Sequence, residues 1–248
     1  MCPITPDEAK RSLRRSADTR EPASKNIRIL FVPSAINSDN ADAAADLYQL
    51  LSGSSYETVV VVESRPGAQE KKLPMPSNHE FTTGLGSVIA NDRLRNELCD
   101  EDDDFFIDDS AFSESSSLYD QLPFLQTVLS DFSMLSLQIT DESPAIVKEL
   151  ASAFEEILAS RNALLLFCCD FSALQDDQIA TIWNQYNEQN RSGLMNSLSS
   201  DWPMTGAGAL FAGLLISGGW GLTLHPCENR HFNGMPCAAE VQHQPIFG

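Results

Sequence analysis

Histidine and cysteine are the side chains of this sequence best suited to hold a transition metal or act as a base near neutral pH. The chain has four histidines and six cysteines, and three of these residues lie close together near the C-terminus. His225 stands two residues before Cys227, and His231 stands four residues after it. One thiolate and two imidazoles are a reasonable ligand set for Zn, Cu or Fe, provided that His231 folds back from a loop. The alternative, which the sequence favours, is that this loop binds no metal.

Two polar residues follow another apolar run of the chain. Asp170 and Ser172 come directly after Leu164–Cys169, which suits a buried strand. Asp170 could position a ligand, or its carboxylate could cap the helix that follows. The adjacent Cys168 and Cys169 are expected to be buried, unreactive core thiols. The candidate ligand-binding residues are therefore Asp170, Ser172 and Cys227.

Carboxylates are concentrated in one short stretch of the chain. Asp100–Asp104, together with Asp108 and Asp109, places seven acidic residues within ten positions. Hard cations take several carboxylate oxygens, so a cation site is one interpretation. The stretch lacks the spacing of a calcium-binding loop, and a solvated, self-repelling loop is the preferred interpretation.

Apolar runs alternate with helical patterns along the chain. Strands are predicted at 27–32, 58–62, 134–139, 164–169, 220–225 and 236–242. Helices are predicted at 40–52, 116–130, 144–159, 174–190 and 206–217. This alternation predicts an α/β fold with a central, mostly parallel sheet flanked by helices. Ligand sites of such sheets form at the C-terminal ends of the strands, which is where several polar segments of this chain fall.

The N-terminal stretch differs in composition from the remainder. Residues 1–26 are polar, and they are predicted to form a partly mobile arm with a short helix near 7–16. Residues 27–248 are predicted to form a single α/β domain. Seven of the 16 basic residues lie within 1–28, which leaves 9 basic against 31 acidic residues in the remainder.

Charge and cysteine usage exclude several partner classes. A formal charge of −19 argues against nucleic acid and against an anionic membrane surface as partners. The longest apolar run is too short to span a bilayer. Six cysteines in 248 residues do not resemble a disulfide framework, so a reducing, cytoplasmic location is expected. The remaining partners are an unidentified protein or a small molecule, and the oligomeric state is left open.

Five short segments carry a family resemblance through their order and spacing. They are Val32-Pro33-Ser34-Ala35, Glu63-Ser64-Arg65-Pro66, Thr83-Gly84-Leu85-Gly86, Ser115–Leu125 and Cys169-Asp170-Phe171-Ser172-Ala173. Over residues 27–242 the chain resembles the MEMO family, which includes the AmmeMemoRadiSam system protein B group. The resemblance is strongest at Leu122–Leu125 and Asp170–Ser172. It implies a fold similar to that of the class III extradiol dioxygenases.

The family histidines are replaced in this chain. The family has a histidine in each of the motifs P-H-A-G, G-P-S-H, E-H-S and D-F-S-H. The resemblance places these four histidines, in the same order, at Ser34, Pro66, Ser116 and Ala173 of this chain. Proline and alanine have no side-chain donor, and serine is a poor neutral ligand and a poor base. The resemblance also places Cys227 where some eukaryotic members carry a cysteine grouped with the metal-site histidines.

These replacements predict a degenerate family site. The first hypothesis is a protein with no catalytic residues and no cofactor that serves a binding or scaffold role. The alternative is a metal-dependent oxidoreductase whose ligands have moved to Cys227, His225 and His231. A third hypothesis is a protein of the same fold that binds a small anion through amides at the strand ends.

Overall fold

The structure is a computed structural model. It describes residues 4–17, 26–67, 71–112, 117–170, 174–200, 202, 204–228, 231–232 and 234–241.

The described residues form ten strands. In chain order these are β1 (Ile27–Pro33), β2 (Thr58–Ser64), β3 (Leu73–Met75), β4 (Glu80–Thr83), β5 (Gly86–Ile89), β6 (Phe105–Ile107), β7 (Ser133–Ile139), β8 (Ala163–Cys169), β9 (Thr223–Pro226) and β10 (Pro236–Glu240). They also form eight α-helices: α1 (Pro6–Ala17), α2 (Ala41–Gln49), α3 (Asp92–Glu101), α4 (Ser117–Val128), α5 (Pro144–Ile157), α6 (Asp176–Asn187), α7 (Arg191–Leu198) and α8 (Ala207–Gly219).

Six of the strands form one central sheet in the order β7-β2-β8-β1-β10-β9. The first four are parallel, and β10 pairs antiparallel with both β1 and β9. Parallel strands are buried on both faces, which is why β2 and β8 are nearly continuous runs of valine, leucine and phenylalanine. The mixed α/β fold with a mostly parallel sheet is thus confirmed.

Helices cover both faces of the central sheet. On one face α2 packs on β1, α4 packs on β2, and α1 packs on α2 and α4. On the other face α8 packs on β1, β2 and β8, with α5 and α7 beside it. A Cβ atom at Gly213 of α8 would lie 2.6 Å from a ring carbon of Phe31 and 2.7 Å from one of Phe167. Glycine at this position therefore allows the helix to approach the sheet closely.

Several elements between β2 and α4 were not anticipated from the sequence. β3 pairs with β6, and β4 pairs with β5 as a hairpin. Arg95 of α3 fastens this region, since its Nη1 donates to the carbonyl oxygens of Pro76 (2.8 Å) and Asn78 (3.0 Å). Strands of three or four residues are too short to show a hydrophobic period, so the pattern could not reveal them.

The predicted N-terminal helix is present as α1, but it is not loosely held. Ala9 and Leu13 are buried against the domain. The Ser16 hydroxyl donates to Asp46 at 2.6 Å, and Nε2 of Gln49 donates to the Leu13 carbonyl at 2.9 Å. A narrow buried stripe of Ala9, Ser12, Leu13 and Ser16 docks this helix on α2 and α4, although most of its residues are polar. The division of the chain near residue 26 stays a prediction.

Candidate functional site

The C-terminal ends of β1, β2, β7 and β8 meet at one edge of the sheet, where the sequence predicts the site. The N-termini of α4 and α8 approach this edge from opposite faces. Backbone hydrogen bonds tie the strand ends to the adjoining loops: Ser34 N–H donates to the Cys169 carbonyl at 3.1 Å, and Asp170 N–H donates to the Thr205 carbonyl at 2.8 Å.

A buried carboxylate, Glu63, lies at the end of β2 and is only 2% exposed. Its Oε2 accepts hydrogen bonds from the Ser117 backbone N–H at 2.8 Å and from Arg65 Nε at 3.1 Å. Its Oε1 accepts a hydrogen bond from Nε2 of Gln138 at 2.7 Å. Because Ser117 begins α4, the carboxylate also lies at the positive end of that helix dipole. The Arg65 guanidinium, two neutral donors and a helix terminus therefore stabilise the Glu63 charge within the protein.

A second carboxylate occupies the N-terminus of α8 on the opposite face. Oε1 of Glu142 accepts from the Gly208 backbone N–H at 2.7 Å and from the Ser64 hydroxyl at 2.5 Å. Gly206 precedes the helix with φ of +89°, and a Cβ atom there would lie 2.6 Å from the Cys168 carbonyl oxygen. Only glycine fits this approach, which brings the helix N-terminus to the end of β8. The anion at this helix terminus is thus one of the chain's own side chains.

The first turns of α4 fill the space next to β1. Gln121 is fully buried; its Nε2 donates to the Pro33 carbonyl at 2.9 Å, and its Oε1 accepts from the Tyr48 hydroxyl at 2.5 Å. Asp120 Oδ2 accepts from the Ile36 N–H at 3.2 Å. Burial raises the pKa of Asp120, the Ile36 hydrogen bond opposes that shift, and the nearby Glu63 charge adds to it. This part of the crevice is occupied by the protein's own polar side chains.

The family histidine positions provide little ligand chemistry here. Ser34 is half-buried after β1, and Pro66 is exposed after β2. Ser116 and Ala173 lie outside the described residues, as does Ser172. The oxygens of the neighbouring Glu63 carboxylate already accept three hydrogen bonds. The described residues at these positions do not fit a resident metal.

Asp170 is half-buried at the end of β8, where the sequence predicts it. It is not the helix cap, because α6 begins at Asp176 and its N-cap residue is Gln175. The Gln175 N–H donates to Oε1 of Gln178 at 3.0 Å. The ligand-binding interpretation of Asp170 stays a prediction.

The three C-terminal candidates are not assembled into a ligand set. Among the described residues, the ligand atoms of His225, Cys227 and His231 do not all lie within 4.8 Å of one another. Nε2 of His225 instead contacts Oε1 of Glu240 at 2.8 Å. Cys227 is buried, with its Sγ 3.9 Å from the Pro236 carbonyl oxygen. His225, Cys227 and Cys237 do line one cavity of about 140 Å³ beside α2.

The chain was compared with known proteins. The family model described as Memo-like protein matches residues 2–202. The chain belongs to the Memo-like family. Relatives named MEMO1 family protein occur in Nitrosopumilus maritimus (25% identity; 54% of this chain and 49% of the relative) and in Thermotoga neapolitana (32% identity; 40% of this chain and 36% of the relative). The chain thus spans half or less of the length of the curated relatives that it matches.

A solved structure has a similar fold to this Memo-family chain. It is the crystal structure of the uncharacterized protein JW3007 from Escherichia coli K12, with a TM-score of 0.56 and 14% sequence identity. The match covers 86% of this chain and 98% of the other. At this level of identity the likeness extends to the fold only.

Two further expectations for this Memo-family chain concern cysteines and acids. Cys168 and Cys169 are fully buried as predicted, and burial raises the pKa of both thiols well above the usual value. Part of the acidic stretch is packed against α5 and not simply solvated. The carboxylate oxygens of Asp102, Asp104 and Glu149 lie within 4.8 Å of one another. No helix in the described ranges has the length and apolar character needed to cross a membrane.

The residues that fill the crevice of this Memo-family chain were not assigned from the sequence. Glu63 directly follows the apolar run Thr58–Val62, where a charged residue marks the end of the run but does not indicate that it is buried. Gln121 lies three residues after Leu118 and four before Leu125, on the apolar stripe of α4, which is an unusual place for an amide. Gln138 and Glu142 gave no comparable signal.

Proposed function

We infer that this Memo-family chain is a non-catalytic binding or scaffold protein in which the family crevice has become a structural polar network. The contact that supports this function is the buried Glu63 carboxylate, held by Ser117, Gln138 and Arg65. A buried charge is tolerated when it is paired and hydrogen-bonded, and here every partner comes from the same chain.

This network leaves little room for metal chemistry. Three of the about four lone-pair sites of the Glu63 carboxylate already accept hydrogen bonds, and a second bond from Glu63 to a cation would displace the Ser117 N–H or the Gln138 amide. Both donors are buried, and each would cost about 1–3 kcal/mol if left unsatisfied. Ser34 and Pro66 supply neither imidazole nor carboxylate in compensation. The binding function is therefore assigned to surfaces outside the crevice, for a protein partner or a small molecule.

The compartment that fits this role is a reducing one, the cytoplasm. No disulfide joins the five cysteines that the structure describes. The strong negative charge of the chain disfavours nucleic acid as the partner.

A second candidate function is a metal-dependent oxidoreductase with ligands around Cys227. One observation favours it: His225, Cys227 and Cys237 line the same cavity of about 140 Å³. Against it stands the separation of the three predicted ligand atoms, which among the described residues do not all lie within 4.8 Å of one another.

Calorimetric titration of the full, untagged chain distinguishes the two functions. Zn²⁺ in air and Fe²⁺ under argon are titrated into the wild type, the Cys227→Ser variant and the Cys99→Ser variant. The Cys99→Ser variant is the control, because Cys99 is a half-buried thiol on α3, away from Cys227 in the sequence. The scaffold function predicts no stoichiometric site with Kd below about 10 μM. One equivalent bound by the wild type and Cys99→Ser but not by Cys227→Ser would overturn it in favour of the oxidoreductase.

A further inference from the structure

An open surface cavity of about 450 Å³ lies between α1 and the start of α2, and none of the crevice side chains described above lines it. Its polar lining consists of Glu8, Arg11, Ser12, Arg14, Arg15 and Ser38. Ile4 and Ala41 supply an apolar part. Volumes of 300–1,000 Å³ with an apolar wall and a few convergent polar groups are typical of small-molecule sites. We name this feature the α1 cavity.

The α1 cavity is basic, although the chain is strongly acidic. Three arginines and one glutamate line it, which gives a local formal charge of +2 in a chain of net charge −19. The Arg14 side chain is exposed, and it makes no hydrogen bond or ion pair with the residues that the structure describes. Arg11 Nε donates to the Asp7 carbonyl at 3.2 Å, which leaves the terminal nitrogens of that guanidinium available.

Two acidic groups next to the cavity offset part of this charge: the Glu8 carboxylate lies close enough to Arg11 for the two charges to attract, and Asp42 pairs with Arg15. Glu8 is held by Thr5, whose N–H and hydroxyl donate to its Oε2 at 2.9 and 2.7 Å. These hydrogen bonds lower the pKa of Glu8 and direct its carboxylate to the first turn of α1. Arg15 pairs with Asp42 at 2.7 Å, but both side chains are more than half exposed. Such surface pairs contribute about 0–1 kcal/mol, so an anion in the cavity competes easily with Asp42 for Arg15.

The position of α2 adds to the attraction for an anion. Ser38 and Ala41 line the cavity, and Ala41 is the first residue of α2. The positive end of the α2 dipole therefore lies at the cavity wall, on the side opposite the arginines of α1. Ser12, which is buried and bonded to Arg15 Nη2 at 3.1 Å, fixes the position of one guanidinium.

We propose that the α1 cavity binds a small molecule carrying a phosphomonoester, with Arg11 and Arg14 as the principal contacts of the phosphate. Three guanidinium groups against the carboxylates of Glu8 and Asp42 leave a local formal charge of +1 that attracts an anion, and guanidinium groups bind phosphate oxygens in a bidentate manner. An extended polyanion would leave the cavity and meet the acidic surface of the domain, so a nucleic acid or a membrane is a poorer match than a small ligand.

Calorimetric titration of the full chain in a low-salt buffer without phosphate tests this site. Inorganic phosphate and glycerol 3-phosphate are titrated as separate probes, and saturable binding of both is expected with Kd between about 10 μM and 1 mM. Arg14→Ala is expected to weaken binding at least about tenfold, because it removes a charge-assisted contact. Arg14→Lys keeps the charge but loses the bidentate geometry, and an intermediate affinity is expected.

Arg93→Ala is the matched control, since Arg93 is an exposed arginine on α3 that does not line the cavity. It is expected to leave the affinity unchanged. The absence of saturable binding up to about 10 mM, or equal weakening by Arg14→Ala and Arg93→Ala, would overturn the site. Tighter binding of a phosphoserine peptide than of glycerol 3-phosphate would overturn the small-molecule assignment. Thermal unfolding of each variant shows whether it is folded.

Discussion

Replacing Glu63 by alanine tests the structural role of the crevice. The substitution removes the acceptor for three hydrogen bonds and leaves two buried donors, the Ser117 N–H and the Gln138 amide, without their partner. The third donor, Arg65, is 38% exposed and can be hydrated instead. We therefore expect the free energy of unfolding to fall, with the loss arising mainly from Ser117 and Gln138.

The magnitude follows from the two buried donors. Each buried polar group left unsatisfied costs about 1–3 kcal/mol, so the variant is expected to lose about 2–6 kcal/mol. This is a large share of the 5–15 kcal/mol typical of folded domains. A water molecule that enters the vacated space and bridges both donors would place the loss at the lower end of the range. Glu63→Gln keeps one carbonyl oxygen and is expected to lose about half as much.

Urea unfolding followed by circular dichroism measures the change. Glu57→Ala is the matched control, because Glu57 is exposed immediately before the same strand. It is expected to change the free energy of unfolding by no more than about 0.5 kcal/mol. If Glu63→Ala is as stable as Glu57→Ala, the buried carboxylate is not a structural group and the reasoning is refuted.

Two further perturbations follow from the packing of the helices. A hydrogen bond to the Asp102 carboxylate is the main reason that the pKa of Glu149 rises from 4.5 to about 8. Between pH 4.5 and pH 8 the folded chain therefore keeps a proton on Glu149 that the unfolded chain has released. The free energy of unfolding should therefore fall as pH rises from about 5 to 8, by less than about 1.4 kcal/mol per pH unit because the Glu149 carboxyl is partly solvated. Urea unfolding at each pH measures this slope, and Glu149→Gln should flatten it. An unchanged slope in Glu149→Gln would contradict the role of Glu149. Gly213→Ala should destabilise the chain by up to about 2 kcal/mol in thermal unfolding, because overpacking against Phe31 exceeds the gain in helix propensity. Gly218→Ala on the same helix has open space around the new methyl group and should be neutral or stabilising. Equal effects of the two substitutions would refute the close approach of α8 to the sheet.

The fold could largely be predicted because the central strands carry a strong local signal. Thr58–Val62 is a β-branched apolar run, and β2 does begin at Thr58. The predicted end at residue 62 was too early, since the parallel pairing continues through Glu63 and Ser64. The pattern ends where polar residues begin, but Glu63 is buried by partners 54 and 75 residues away. Contacts of that separation leave no mark in a local pattern.

The same limit explains the other differences at the site. Asp170 has the residue type and position of a helix cap, yet α6 starts six residues later at Asp176. The spacing of His225, Cys227 and His231 suits a metal site, but in the described part of the chain their ligand atoms do not all lie within 4.8 Å of one another. The replacement of the family histidines stays a prediction from the sequence resemblance. The side chains that fill the crevice in their place are determined by tertiary packing.

Anomalous diffraction at the zinc edge from crystals soaked in Zn²⁺ tests the central claim most directly. The scaffold function predicts no zinc peak between the ends of β1 and β2, and it predicts a Glu63 carboxylate within hydrogen-bond distance of the Ser117 N–H. A zinc peak within about 2.0–2.3 Å of Cys227 Sγ, or one bound by the Glu63 oxygens, would contradict it.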